Sequence, residues 1–153
     1  AERFAEYIAT IQREGDSIGG IVECTIKGLP IGIGEPIFDK LQSHLAFAMM
    51  SINGCKGFEY GSGFEGVTLK GSEMYLTENQ ALISGGIAGG ISDGTPIVFR
   101  CVFKPTATNR KTLEAVSHDF KLGRHDACIA IRATAVVEAM AALVIEDFLS
   151  ENQ

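Results

Sequence analysis

Residues 97–103 read Ile97-Val98-Phe99-Arg100-Cys101-Val102-Phe103, and this stretch has a clear strand pattern. Ile97, Phe99, Cys101 and Phe103 fall on alternate positions, so their side chains share one face of an extended chain. A period of two over a short run is typical of a β-strand whose apolar face lies in the core. We therefore expect a strand here, with helices packed on that face.

Three further stretches favour strands. Residues 17–27 repeat the period of two, with an apolar face made of Val22, Cys24 and Ile26. Shorter strands are expected at residues 56–60 and 66–69. We expect these strands to pair in antiparallel fashion.

Helical spacing marks three segments. The chain opens in an amphipathic helix that stops at Gly15. A second helix is predicted over residues 37–52, because Pro36 suits a first helical position and Asn53-Gly54 tolerates a left-handed cap. A third is predicted over residues 134–149. The apolar stripes are Phe4, Ile8 and Ile11 in the first helix, Phe38, Leu41, Leu45, Ala48, Met49 and Ile52 in the second, and Val137, Met140, Val144 and Phe148 in the third.

Antiparallel strands packed on long apolar helices make an α+β domain. The chain has 153 residues, 46% of them hydrophobic, which is enough for a single domain with its own core. No start signal precedes the first helix, which suggests a piece of a longer protein.

Composition narrows the classes of protein. No basic-hydrophobic signal segment opens the chain, and no apolar run approaches the roughly 20 residues of a membrane helix, so we expect a soluble, cytoplasmic protein with no membrane partner. The cysteines contain no CxxC pair, so we expect buried, reduced thiols rather than zinc ligands or a disulfide framework. They are Cys24, Cys55, Cys101 and Cys128.

Charge is distributed unevenly. The net charge of −6 argues against a nucleic-acid partner. Residues 100–132 nevertheless hold seven basic and three acidic side chains, a net +4, so the other residues carry −10. This basic stretch is either a solvated loop or a site for a small anionic ligand.

Glycines cluster in residues 84–94, Ser-Gly-Gly-Ile-Ala-Gly-Gly-Ile-Ser-Asp-Gly. A backbone without Cβ atoms can approach a flat ring or turn its amides toward an anion. The run is neither a Walker loop nor a GxGxxG fingerprint, because no GK[ST] follows and the glycines are wrongly spaced. A simple turn is the alternative.

Lys104-Pro105-Thr106-Ala107-Thr108 follows the strand at residues 97–103. A cation and two hydroxyls at a strand end suit a phosphate or the edge of a ring. The other interpretation is a proline-initiated turn.

A charged triplet, Arg124-His125-Asp126, precedes the last helix. Together with His118-Asp119 it looks like a doubled His-Asp metal motif. The spacing of seven does not place both pairs on one strand face, and the only other imidazole is His44. Metal ligation is therefore not supported, and we interpret His44 as structural.

Taken in order, seven segments resemble chorismate synthase along nearly the whole chain. The stretch from Arg124 to Met140 is similar to the third signature of that family. The segments begin at Gly15, Gly34, Met50, Gly71, Gly85, Lys104 and Arg124.

The resemblance implies a lyase that makes chorismate from 5-enolpyruvylshikimate 3-phosphate by 1,4-elimination of phosphate, with reduced FMN as cofactor. It also implies a helical core sandwiched between antiparallel β-sheets, a homotetramer, and an association with NADP. Asp126 matches the carboxylate placed near the flavin, and between Arg124 and the glycine-rich backbone we expect it to stay ionised. The positions that match flavin contacts are Asn53, Gly54, Gly89, Lys104, Pro105, Thr106, Ala107, Thr108 and Arg124.

The chain also departs from the family. It lacks two earlier signatures that carry acid-base histidines and substrate arginines, and two of its loops are short. Ala127 and Gly54 stand where Pro and Ala are common. The resemblance therefore implies the C-terminal portion of the enzyme, with little or no activity of its own. The alternatives are a non-catalytic module that binds flavin or an anion, and an assembly fragment that binds neither.

Overall fold

A computed structural model describes residues 2–75, 83–116 and 126–151. Their helices are α1 (Glu2–Arg13), α2 (Leu41–Met50), α3 (Gly71–Tyr75), α4 (Arg110–Val116) and α5 (Ala130–Glu151). Their strands are β1 (Gly20–Ile26), β2 (Cys55–Tyr60), β3 (Ile87–Ala88), β4 (Ile91–Ser92) and β5 (Ile97–Phe103), and a 3-10 turn spans Gly63–Thr68.

Strand β5 lies at the centre of an antiparallel sheet in the order β1-β5-β2. Its register with β1 runs from Gly20 opposite Phe103 to Ile26 opposite Ile97. The alternate side chains of β5, from Ile97 to Phe103, are at most 1% exposed. The prediction of a half-buried strand is confirmed here and for β1, whose Val22 is buried.

Helices α2 and α5 cover the inner face of this sheet. Leu41, Leu45 and Met49 of α2 are fully buried, and Val137 and Phe148 of α5 are nearly so. These side chains form one apolar cluster with the inward residues of β1 and β5. The α+β prediction is confirmed, with helices packed on antiparallel strands.

The opposite side of this helical layer also carries large apolar side chains. Phe47 of α2 is 78% exposed, and Ile131, Val136 and Leu143 of α5 are 50%, 45% and 65% exposed. Large apolar side chains that are exposed together typically mark a surface that another part of a protein covers. Within the described residues, the sheet covers only one of the two faces.

The second helix begins later than its pattern predicted. Phe38 has a φ of +65° and is 89% exposed, so it lies outside the helix and away from the apolar stripe. The amide of Glu35 donates to the carbonyl of Asp39, which closes a turn where helix was expected after Pro36. The helix starts at Leu41, whose amide donates to Gly90.

The strand predicted at residues 66–69 is wrong. This stretch belongs mostly to the 3-10 turn, and Val67 is 87% exposed. The carboxylate of Glu59 accepts a hydrogen bond from the amide of Phe64, and the carbonyl of Ser62 accepts one from Gly66. These local bonds satisfy the backbone without a strand partner.

The first and last helices were predicted closely, whereas α3 and α4 had no counterpart among the predicted helices. Helix α1 ends before Gly15, whose φ is +70°, and its Ile8 packs partly on the core, while Phe4 is 56% exposed. Helix α5 begins at Ala130, one turn before the predicted start.

Candidate functional site

Most of the predicted site residues lie where the end of β5 meets the start of α5. A cleft of about 410 Å³, which we call the small cleft, opens beside them. It has one polar edge and a largely apolar wall. Its lining residues are Ser51, Ile52, Asn53, Phe103, Ile129, Arg132, Ala133, Val136 and Met140.

The turn after α2 supplies Asn53 and Gly54. Asn53 is exposed and lines the small cleft. Gly54 has a φ of +87°, and an added Cβ would lie 2.9 Å from Cδ1 of Ile129, so both the turn and the packing favour glycine. The carbonyl of Gly54 accepts a hydrogen bond from the amide of Lys104 at 3.0 Å, which joins this turn to the end of β5.

Residues 104–108, which we call the Lys104 segment, leave the sheet at this point. Lys104, Pro105, Ala107 and Thr108 are exposed, whereas Thr106 is half-buried. The hydroxyl of Thr106 donates to the main-chain carbonyl of Asp126 at 3.0 Å. Two parts of the predicted site that lie 20 residues apart in sequence are therefore in direct contact.

A polar cluster fixes Thr106 from behind. The hydroxyl of Ser17 donates to the Thr106 carbonyl at 2.7 Å. Asn109 is 3% exposed, and its Nδ2 donates to Ser17 Oγ at 3.1 Å and to the same carbonyl at 3.3 Å. We call Ser17, Thr106 and Asn109 the clasp. Asn109 was not among the predicted site residues, since an asparagine after a proline-containing loop is typical of an ordinary turn or helix cap.

The carboxylate of Asp126 faces Arg132. Arg132 Nε lies 3.3 Å from Asp126 Oδ2, with side-chain exposures of 56% and 34%. Because Arg132 also lines the small cleft, it links the carboxylate to that cleft. The amide of Ile18 donates to the carbonyl of Ala127 at 2.8 Å, which anchors the chain just after Asp126. Arg132 was counted in the basic stretch, but no motif singled it out.

Four residues singled out from the sequence lie outside the residues that the structure describes. They are Arg124, His125, His118 and Asp119. Among residues 2–75, 83–116 and 126–151, no group of three His, Cys, Asp or Glu side chains could hold a metal ion.

Gly89 lies elsewhere, on the hairpin of β3 and β4. It lines a second cleft of about 1130 Å³, the large cleft, which contains none of the other predicted site residues that the structure describes. Gly89 is exposed with a φ of +65°, and an added Cβ would have no neighbour within 4 Å. The space beside its Cα is therefore open.

The large cleft differs chemically from the small one. Aromatic rings of Phe58, Tyr60, Phe64 and Tyr75 contribute to its wall. Its charged lining residues are two acids, Glu59 and Asp93, and both already have partners.

Those partners are specific. Glu59 Oε1 lies 2.9 Å from Arg100 Nε. Burial acts to raise the pKa of Asp93, but hydrogen bonds from Thr95 and Ser84 outweigh it and lower that pKa below its ordinary value. Both carboxylates are therefore occupied by neighbouring groups, and neither would bind an anion.

The cysteines are free thiols, and two of them have a raised pKa. All four cysteines are free, and three are buried, which confirms the prediction apart from the half-buried Cys24. Burial and the neighbouring Cys55 raise the pKa of the Cys101 thiol to about 12, and burial also raises the pKa of Cys24. A thiol of such high pKa is a weak nucleophile because it is protonated at neutral pH.

His44 has a structural environment. Its Nε2 lies 2.9 Å from Asp39 Oδ1, and its ring meets Phe148 edge-on at 4.9 Å between centroids. These contacts tie the start of α2 to the end of α5.

None of the helices in the described part of the chain is long and apolar enough to cross a lipid bilayer.

The sequence of the chain is similar to that of one known family. A family model described as chorismate synthase matches residues 1–149. The chorismate synthase of Christiangramia forsetii is 47% identical over 164 residues, an alignment that covers 100% of this chain and 46% of that protein. The chorismate synthase of Synechocystis sp. is 50% identical over 168 residues, with the same two coverages of 100% and 46%. The chain thus spans a little less than half the length of the curated relatives it matches.

The fold is similar too. A solved structure described as the crystal structure of chorismate synthase matches with a TM-score of 0.78 and 31% sequence identity. The match covers 99% of this chain and 43% of that one.

Proposed function

The chain belongs to the chorismate synthase family, and we propose that its residues form the C-terminal portion of an enzyme that converts 5-enolpyruvylshikimate 3-phosphate to chorismate and phosphate. In this 1,4-elimination the bond from the ring to the phosphate oxygen breaks and a ring carbon loses a proton. We further propose that residues 1–153 belong to one domain.

One observation carries the proposal. The family's expected flavin contacts at Asn53 and Gly54, at the Lys104 segment, and beside Asp126 are distant in sequence. Two hydrogen bonds, Lys104 N to Gly54 O and Thr106 Oγ1 to Asp126 O, join them beside a single cleft. Random placement of matching residues would not bring them to one place.

The residues at this place fit a flavin. Ligand pockets typically measure about 300–1,000 Å³ and combine an apolar wall with a few polar groups. The small cleft, at about 410 Å³, has Ile52, Ile129, Val136 and Met140 in its wall. The exposed Lys104 and Thr108 offer a cation and a hydroxyl for a phosphate group. FMN would therefore be held by Asn53, Gly54 and the Lys104 segment.

The roles of the chain's own residues follow from their chemistry. Reduced FMN, when bound, supplies electron density that assists departure of the phosphate. Asp126 holds or relays a proton near the ring, and Arg132 orients its carboxylate through the 3.3 Å contact. Lys104 stabilises negative charge on the bound anions.

Gly89 and Arg124 complete the proposed flavin contacts on the strength of the family resemblance. The open space beside the Gly89 Cα would let a flat group approach the backbone there. We assign Gly89 a peripheral place, since it lines the large cleft and not the small one.

Further parts of the enzyme are needed. The relatives are about twice as long, and the exposed apolar face of α2 and α5 requires a cover. We propose that a second sheet covers this face and that acid-base histidines lie in the same additional part. The proposal extends to a cytoplasmic homotetramer and to the family's association with NADP.

An anaerobic assay of phosphate release tests this function. With reduced FMN and 5-enolpyruvylshikimate 3-phosphate, the natural polypeptide, at whatever length the cell makes it, should release phosphate and form chorismate. The 153-residue chain alone should show little or no turnover. Turnover by this chain near that of its relatives would contradict the division of the site.

A flavin titration separates the alternatives. Quenching of FMN fluorescence by the natural polypeptide without phosphate release would favour a non-catalytic binding module. No quenching at any concentration would favour an assembly fragment.

A further inference from the structure

The clasp contains a buried polar side chain that the proposed reaction does not use. Asn109 is 3% exposed, and its side-chain amide donates to Ser17 Oγ and to the Thr106 carbonyl and accepts from the Thr112 amide. Building on the proposed function, we propose that Asn109 is a positioning residue. Through Ser17 and Thr106 it holds the Lys104 segment against Asp126 in the geometry that binds the flavin.

The first step is the path of the hydrogen bonds. Asn109 Nδ2 donates to Ser17 Oγ at 3.1 Å and to the Thr106 carbonyl at 3.3 Å. Ser17 donates in turn to that carbonyl at 2.7 Å. The peptide of Thr106 is thereby fixed, and its hydroxyl is directed to the Asp126 carbonyl.

The second step is that the Lys104 segment has few other constraints. Its first residue is fixed by the bond from Lys104 N to Gly54 O, and Thr112 Oγ1 donates to Ala107 O at 2.7 Å. Four of its five side chains are exposed, and among these Pro105 lies against Gly19. Thr106 is therefore the point at which the segment meets the core and Asp126.

The third step is that Asn109 is itself firmly placed. It caps α4 reciprocally, because Oδ1 accepts from Thr112 N at 2.9 Å while Asn109 N donates to Thr112 Oγ1 at 3.1 Å. Lys111 Nζ lies 2.8 Å from Asp16 Oδ2, which fixes α4 to the loop before β1. An anchored amide can transmit position to Thr106.

One substitution removes the hydrogen bonds that Asn109 donates within the clasp but keeps the N-cap of α4. Asp is as good an N-cap as Asn, but an ionised carboxylate has no N–H to donate. Asn109→Asp should therefore preserve α4 while removing both donors to Ser17 and Thr106. Ser17→Ala removes a different member of the same path. Ile97→Val is the control, since it loosens the core at the end of β5 remote from Lys104.

Two measurements on the natural polypeptide test the proposal. Hydrogen exchange without FMN should be about tenfold faster at the Ile18 amide, which bonds to Ala127, in Asn109→Asp, and Ser17→Ala should change it in the same direction. The dissociation constant of FMN, from fluorescence quenching, should rise about tenfold. Ile97→Val should lower the unfolding midpoint but change neither quantity more than about twofold.

Each other outcome overturns the proposal in a recognisable way. Unchanged exchange at Ile18 in both clasp variants would show that the clasp does not hold the Asp126 junction. Faster exchange with unchanged FMN affinity would reduce Asn109 to a structural residue. If the unaltered protein binds no FMN, the proposed function fails and the positioning role fails with it, while exchange still reports whether the clasp exists.

Discussion

The two clefts of this chain differ in the side chains that line them. At the small cleft, segments distant in sequence meet through hydrogen bonds, and the polar lining includes Asn53 and Arg132, whose Nε contacts the Asp126 carboxylate. At the large cleft, aromatic rings and a glycine hairpin form the wall, and both acids are already satisfied by neighbours. Volume alone would select the larger one, yet charge and connectivity favour the smaller.

Glycines and charged side chains have different causes in these two clefts. Gly85, Gly86 and Gly90 have no room for a side chain because backbone atoms lie within 3 Å of the position of an added Cβ. Most of the glycine run is therefore explained by packing. No close packing of this kind explains the exposed cation of Lys104. Lys104 lies two residues before Thr106, whose hydroxyl donates to the main-chain carbonyl of Asp126.

The sharpest contrast is between two carboxylates. Asp126→Asn should lower kcat by about a hundredfold or more, because a general acid-base group contributes about 10²–10⁴. Asp93→Asn, at the large cleft, should change kcat less than about threefold once stability is matched. Steady-state phosphate release measures both, and equal losses would break the distinction between the clefts.

Two adjacent glycines of the hairpin, Gly89 and Gly90, should differ in how much their substitution destabilises the fold. Gly90→Ala should destabilise the fold by about 3 kcal/mol, since its Cβ would meet Lys40 Cγ at 2.6 Å and the Glu35 carbonyl at 2.8 Å. Gly89→Ala meets nothing and should cost only about 1 kcal/mol of backbone strain. Urea denaturation measures both. Similar losses would show that Gly89, too, is a packing glycine.

Two lysines test the charge argument. Lys104→Ala should weaken FMN binding about tenfold, as expected for loss of one charge-assisted hydrogen bond. Lys40→Ala, beside the hairpin, should leave the affinity within about twofold. Fluorescence titration compares them, and a larger effect at Lys40 would move the flavin toward the large cleft.

Arg132 should have a smaller, kinetic effect. Arg132→Gln removes the cation 3.3 Å from Asp126 but keeps a polar side chain in the small cleft. Because both groups are partly exposed, we expect kcat to fall about fivefold and the pH profile of kcat to change, with little change in stability. An unaltered pH profile would contradict an orienting role.

The smallest expected effect is the acid dependence of stability contributed by Asp93. Its pKa in the folded chain is below the ordinary 3.8, so the folded state binds fewer protons than the unfolded state. The resulting stabilisation is fully present above pH 3.8 and is lost as the pH falls through the folded value. Thermal unfolding between pH 5 and 2 should show less acid sensitivity in Asp93→Asn. Identical curves would contradict the shift.

Regular elements could be predicted from sequence because their periods are local. The alternation in β5 and β1, and the helical stripe of α5, depend on neighbours two to four residues away. The failures involve other physics. The positive φ of Phe38 is set by the turn that brings Leu41 to Gly90, and the strand expected near Val67 is replaced by a turn that Glu59 caps.

The site could be predicted only in part for the same reason. Family motifs pointed to Asp126 and the Lys104 segment, and the structure joins them. No local pattern reveals that Asn109 reaches Ser17 across 92 positions, or that Arg132 turns toward Asp126. Nor could motif order separate Gly89 from Asn53, because only the fold places these two residues at different clefts.

A hydrogen-exchange map of the natural polypeptide with and without FMN tests directly where the flavin binds. If the flavin occupies the small cleft, amides in residues 51–54, 104–108 and 126–129 should exchange more slowly on binding, while residues 58–64 should change little. Slowing confined to residues 58–64 and 83–95 would place the flavin in the large cleft and contradict the account.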